Sequence, residues 1–372
     1  MTRSEVNLKV VRVPEMTVAG VRGFVKDEDE IQARVRELRK IVGDATVGPP
    51  ICLYLDRDET KGFDVQVVLP VGEDATLEGL DTWTLSGDVM LSTVHVGPHR
   101  SGGERPGIAD AVRRIWTEIC VPNRILVGDN PRRSVYREGA ETHGEASDAY
   151  VTEIQISYHF PVWVEALRSG VAACAGEETA AHVVAGGEEL FEVFDADRIR
   201  AWVREAIRRL DKAVPDERAR ACLMTGCAHR HPIPPLEALK RAYEEAGSLE
   251  SFLARIESDK ALYPPRIWRE PGRPSVLYLE RTIPYPEARE ATDDPVEKRF
   301  HTCFCSMVKD AILKGEEISP TFCNCSAGWF VQVWEFILGR TLRVDVVEDV
   351  LHGAERCIFA IHLPPDLLAP ST

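Results

Sequence analysis

Apolar positions along the chain first recur with a period of two. Residues 6–14 alternate as a half-buried strand that Pro14 ends, and residues 18–24 read as a second strand. The period then lengthens: Ile31, Val35, Leu38 and Val42 stand at helical spacing within residues 27–42, with acidic residues gathered at the start. Strands at 51–55 and 63–70 follow across a charged turn. A similar pass then begins again. Residues 89–96 are a strand, and residues 108–120 a helix with Ile108, Val112, Ile115, Trp116 and Ile119 along one stripe. Residues 150–158 are the last strand, and the unit closes at Pro161. Two such strand-helix-strand-strand passes predict a pseudo-symmetric α+β sheet over residues 1–163, with a cleft between its halves.

Residues 166–189 are rich in alanine, glycine and small polar residues and have no firm period, so residues 164–194 read as a linker. A helix-rich α+β domain is expected over residues 195–372. Ile199, Trp202, Val203, Ile207 and Leu210 form the stripe of its first helix. Further helices are expected at 216–228, 235–246 and 248–258, and a strand at 276–280. Trp329, Phe330, Val333, Trp334, Ile337 and Leu338 repeat as a helix stripe that Gly339 ends. In the next strand Leu342, Val344, Val346 and Glu348 share a face, as do Cys357, Phe359, Ile361 and Leu363 in the last one. A hairpin turning at Gly353 would bring Glu348 close to Cys357.

Composition narrows the function. A formal charge of −15 argues against a general nucleic-acid role, which needs a basic face, and against an anionic membrane surface. The N-terminus has no signal-peptide character and no segment approaches a membrane span. A cytoplasmic location is the expectation, and there ten cysteines are free, metal-bound or reactive rather than disulfide-paired. Their clustering is informative. Cys323 and Cys325 stand two apart, Cys303 and Cys305 form a second close pair beside His301, and Cys357 lies in the closing hairpin. Thiolates near a carboxylate and an imidazole are the donor set of a structural zinc, with Cys323, Cys325, Glu348, Cys357, Cys303 and Cys305 as candidates. The alternative is buried thiols packing as small hydrophobes. Cys222, Cys227, His229 and His231 are a weaker group, because their spacing matches no standard finger.

In the first half, residues 13–20 (Val-Pro-Glu-Met-Thr-Val-Ala-Gly), the strand into Val96-Gly-Pro98, and Val151-Thr-Glu-Ile-Gln-Ile156 resemble the GyrI-like small-molecule-binding domain, the effector module of many AraC- and MerR-type regulators. One departure stands out: Ser134-Val-Tyr136 replaces the family's Glu-x-Tyr. Glu153 remains, and by strand parity it shares a face with Val151, expected to be the covered one. An acid there either pairs with an arginine or awaits a ligand. The resemblance implies the latter: Glu153 anchoring a small hydrophobic or cationic molecule, with Tyr54, Trp83, Trp116 and Tyr136 as aromatic walls. Aromatics at helical spacing, such as Trp116, are more often core.

Cys325-Ser-Ala-Gly328, residues 339–344, Glu348 and residues 353–359 resemble the 4-vinyl-reductase-type domain, in which cysteines and a glutamate bind zinc. The cysteine that family places three residues after the glutamate is Leu351 here, so a fourth ligand would come from Cys323, Cys303, Cys305 or His352. A similar cysteine-bearing helix and hairpin ends a class of thiazoline-carboxylate hydrolases, which keeps a hydrolase using a pocket glutamate or thiolate open as the alternative. The leading expectation is a small-molecule sensor or sequestering protein, as a homodimer or docked on a separate regulator, without direct nucleic-acid contact. No catalytic residue is identified.

Overall fold

The computed structural model describes residues 7–101, 106–128, 130–138, 150–228, 231 and 233–367. The chain divides into two units, Met1–His159 and Phe160–Thr372.

The first unit is built on an antiparallel sheet of eight strands. These are β1 (Lys9–Val13), β2 (Met16–Val25), β3 (Ile51–Asp58), β4 (Gly62–Pro70), β5 (Thr82–Leu85), β6 (Asp88–Val96), β7 (Arg132–Glu138) and β8 (Val151–Ser157). Their order is β1-β6-β8-β7-β3-β4-β2-β5. The inner six form two mirrored triplets, β6-β8-β7 and β3-β4-β2, each carrying its helix after its first strand. The expected pseudo-symmetry is therefore present, and the halves meet where β7 pairs with β3, Cys52 opposite Ser134. Helix α1 (Glu28–Val42) buries Ile31, Val35, Leu38 and Val42, the stripe seen in the sequence. Each such side chain contributes roughly 1.5–3 kcal/mol of transfer free energy.

Helix α2 (Ile108–Arg114) departs from expectation. It continues as a π-helix over Ile115–Cys120, in which Val121 N–H donates to the Trp116 carbonyl at 2.9 Å. The wider turn buries Ile115 and Cys120, five apart, and leaves Trp116 exposed instead of in the stripe.

The expected linker is helical. Helices α3 (His159–Ala175) and α4 (Glu177–Val184) occupy most of it, with Trp163, Leu167, Val171, Ala180 and Val183 fully buried in the second unit. Helices α5 (Ala196–Ala213), α6 (Glu217–Thr225), α7 (Ile233–Ala246) and α8 (Leu249–Ser258) follow. The second sheet orders as β11 (Arg343–Glu348), β12 (Ile358–His362), β10 (Val276–Glu280) and β9 (Arg266–Trp268). Short helices α9 (Pro286–Glu290), α10 (Pro295–Thr302) and α11 (Asp310–Lys314) lead to α12 (Asn324–Leu338), which ends at Gly339 in the left-handed conformation. Phe330, Val333, Trp334, Ile337 and Leu338 of α12 meet Leu277, Leu279, Phe359 and Ile361 of the sheet in one core. Trp334 Nε1 donates to the Tyr263 hydroxyl at 3.0 Å, so the buried indole keeps a partner. Gly328 lets α12 approach α6: a Cβ there would lie 2.1 Å from the Thr225 carbonyl oxygen.

Candidate functional site

Asp27 caps α1 by accepting from the Asp29 and Glu30 amides at 3.1 and 3.2 Å. Glu28 is therefore the first helical residue, and its carboxylate turns to the sheet. The Tyr54 hydroxyl of β3 donates to Glu28 Oε2 at 3.2 Å, and the Tyr136 hydroxyl of β7 donates to Oε1. Those two strands are the ones that join the half-sheets. Burial raises the Glu28 carboxyl pKa, against the opposing pull of Tyr136, Arg132 and Tyr54. The Arg132 guanidinium lies 3.5 Å from the centre of the Tyr54 ring and donates to Ser134 Oγ at 3.1 Å. On the far side of Tyr136 stand the His99 ring, edge-on with centroids 5.5 Å apart, and then Tyr150, 4.4 Å beyond it. Burial, helped by His95, pulls the His99 pKa down to about 4, so its ring is neutral near pH 7. Arg100 bridges Asp27 and Asp29 at 2.5 and 2.7 Å, tying the segment after β6 to the start of α1. An acid among aromatic faces, at the join of two half-sheets, is suited to a cation.

The sequence-predicted residues are split by this arrangement. Tyr54 and Tyr136 meet at Glu28. Glu153 lies on the opposite face: it stands across from Val135 and Val94, while Tyr136 stands across from Thr152. Its carboxylate is already engaged by Ser92 Oγ at 2.6 Å, Gln155 Nε2 at 2.9 Å and the Arg137 guanidinium at 2.7 Å through Nε. Burial pushes the Glu153 pKa upward, but these hydrogen bonds and the Arg137 charge outweigh it and hold the pKa down. Trp83, opposite Val18, packs on that same face against Val18, Ile51, Leu53, Val68 and Val135. Trp116 is exposed. An open cleft of about 370 Å³ at Arg39, Thr46, Gly48, Pro49 and Arg137 does not include Glu28.

Glu28, Arg132, His99 and Tyr150 were not singled out by sequence reasoning. A signal for Glu28 existed: it extends the buried stripe 31, 35, 38 and 42 backward by three residues.

The family model of the GyrI-like small molecule binding domain matches residues 7–159. Residues 7–159 are a GyrI-like domain. Among solved structures, the EcmrR C-terminal domain is similar to it at 21% identity, over 41% of this chain and 96% of that one, with a TM-score of 0.35. A hydrolase from Listeria innocua is similar at 12% identity, over 42% and 93%, with a TM-score of 0.29. SAV2435 bound to tetraphenylphosphonium is similar at 14% identity, over 41% and 93%, with a TM-score of 0.26. No curated protein matches the chain. No helix among the described residues is long and apolar enough to cross a membrane.

The family match ends where the GyrI-like domain does, before the cysteine-rich unit. There Cys303, Cys305, Cys325 and Cys357 lie close enough to Arg281 to act on its charge, and Asp349, Cys303, Cys357 and Cys305 lie close enough to Cys323 to oppose its ionisation. The Arg281 guanidinium lies over the Phe304 ring at 4.1 Å. Burial pushes the thiols up, to about 12 for Cys303, Cys305 and Cys357 and about 11 for Cys325, with Cys323 also raised. Thiols held protonated are weak nucleophiles at neutral pH.

Of the expected ligand set, Glu348 is displaced. A bulge between Val346 and Glu348 breaks the alternation of β11, so Glu348 is exposed and Asp349 turns inward in its place. Asp349 Oδ1 accepts from the His352 amide at 2.9 Å and faces His352 Nδ1 at 2.6 Å, and the Cys323 thiol also bonds to Asp349. Among the described residues, the donor atoms found together, all within 4.8 Å of one another, belong to Cys323, Asp349 and His352. Cys222 is exposed, Cys227 is buried, and His231 Nε2 lies 3.1 Å from the Trp329 carbonyl, while His229 lies outside the described residues.

Proposed function

We propose that the GyrI-like domain is a receptor for a small aromatic cation, with Glu28 as its counter-ion in place of Glu153. The observation that carries this reading is the half-buried Glu28 carboxylate held between the Tyr54 and Tyr136 hydroxyls at the join of the half-sheets. Arg132, stacked on Tyr54, marks where a delocalised positive charge is already accommodated. A ligand would displace that guanidinium and lie between Tyr54 and the His99–Tyr136–Tyr150 wall. Exchanging one cation for another keeps a positive charge near Glu28 in both states, which offsets part of the cost of burying its carboxylate. Its output is passed to a separate regulator or a second copy of the chain. This makes the protein a sensor or a sequestering protein.

Calorimetric titration with tetraphenylphosphonium, a cation with no hydrogen-bond donor, tests charge and stacking alone. Triphenylphosphine oxide serves as the uncharged comparison. Binding of the cation at least tenfold tighter than the oxide supports the proposal. Equal binding of the two would show that apolar contact, not Glu28, sets affinity.

A further inference from the structure

We propose that the second unit holds a zinc-type divalent ion between Cys323, Asp349 and His352. The site belongs to the other unit and does not depend on the ligand reading of the GyrI-like domain.

The three residues come from two places in the chain. Cys323 closes a short 3-10 turn, Pro320–Cys323, at the entry to α12. Asp349 precedes and His352 ends another, Val350–His352, in the connection from β11 to β12. Asp349 caps that turn, and Gly353 at φ 107° takes the chain out of it, a conformation that favours glycine. The two donors of the turn are thus held by their own backbone, and Cys323 is brought to them by the fold.

The histidine geometry points to a metal. His352 Nε2 lies 2.7 Å from the Ile318 carbonyl oxygen, an acceptor, so that nitrogen carries a proton. Nδ1 is left facing Asp349, on the side of Cys323. Donation of one ring N–H to a backbone carbonyl, with the other nitrogen turned to a cluster of donors, is how a metal-binding imidazole is oriented. The set is one thiolate, one imidazole and one carboxylate, which suits a borderline-soft ion. Cys303 and Cys357 pack in one cluster with Val350 of the same turn, and they are the neighbours from which a fourth donor would come. His352 is on the solvent side, which gives an ion a way in. On binding, the Cys323 thiol proton and the proton between Asp349 and His352 leave to solvent, and the ion takes their place. The consequence is a cross-link between the start of α12 and the hairpin connection.

The test uses the full chain, stripped with chelator under reducing conditions and titrated with Co(II), with zinc content measured separately by elemental mass spectrometry. One equivalent of Co(II), with thiolate-to-cobalt absorption in the near ultraviolet and tetrahedral visible bands, is expected. Cys323→Ser should weaken the thiolate band by at least half and lower the affinity, and His352→Gln should weaken binding at least tenfold. Gln keeps a donor for Ile318, so circular dichroism of that variant should match the wild type and separate lost binding from lost folding. Glu348→Gln and Cys325→Ser should each retain the ion. No stoichiometric binding by the wild type would overturn the site. So would an unchanged cobalt spectrum in both Cys323→Ser and His352→Gln.

Discussion

The Tyr54 hydroxyl donates to Glu28 Oε2 at 3.2 Å, joining a central strand of the sheet to the first turn of the helix that covers it. Tyr136 reaches the other carboxylate oxygen from the neighbouring central strand, so one acid is gripped by both half-sheets.

Burial raises the Glu28 carboxyl pKa. A carboxyl raised in the folded state costs stability once the unfolded chain can ionise. That cost begins as pH climbs past about 4.3 and is complete above the folded value. Glu28→Gln removes it, and its amide can still bond both tyrosines. The variant should melt at the same temperature as the wild type near pH 4, and at the same or a higher temperature at pH 7. A clearly lower midpoint at pH 7 would show that the ionised acid stabilises the fold.

Glu153 behaves with the opposite sign. Its pKa is held below the usual range by Ser92, Gln155 and Arg137. The stability it contributes is present above the unfolded value and is lost as pH falls through the folded one. Glu153→Gln should lower the melting temperature at pH 7, and the deficit should shrink as pH drops below 4. Thermal scans across that range check it. A deficit independent of pH would mean that packing, not charge, is responsible.

His99 is predicted to titrate near 4 rather than 6.5, because burial opposes its charged form. The unfolded chain binds this proton more readily, so stability should rise with pH between those values. Its ring resonances in NMR should show the low midpoint, and His99→Phe should flatten that limb of the stability profile. A midpoint above 6 would contradict the neutral wall beside Tyr136.

Gly328→Ala should destabilise the second unit by about 1–3 kcal/mol, since its new methyl meets the Thr225 backbone rather than a movable side chain. Urea unfolding measures this. A neutral effect would mean that α6 and α12 can separate without cost.

Much of the first unit is legible because its periods are clean: α1 shows one buried stripe, and most strands alternate or run apolar, whereas β7, largely polar, gives no such signal. The segment read as a linker was opaque for a physical reason. Helix α3 buries Trp163, Leu167 and Val171 among small residues, and small residues blur the amphipathic contrast that marks a helix. Strict alternation points to Glu348 and gives no sign of Asp349, because the bulge in β11 shifts the parity by one. Trp116 was placed in a stripe that the π-helical turn rotates outward. Glu28 stood among acids that complement the helix dipole, so its inward turn was hidden by neighbours of the same charge. Glu153 was read for its face alone, and sequence spacing gives no view of Arg137 reaching across to it.

The central claim is that Glu28, and not Glu153, anchors the ligand of the GyrI-like domain. The most direct measurement is the tetraphenylphosphonium dissociation constant of the wild type, Glu28→Gln and Glu153→Gln at pH 7, by calorimetry. Glu28→Gln should lose affinity at least tenfold, about 1.4 kcal/mol or more, and Glu153→Gln should change it less than threefold. Unchanged affinity in Glu28→Gln, or a larger loss in Glu153→Gln, would contradict it.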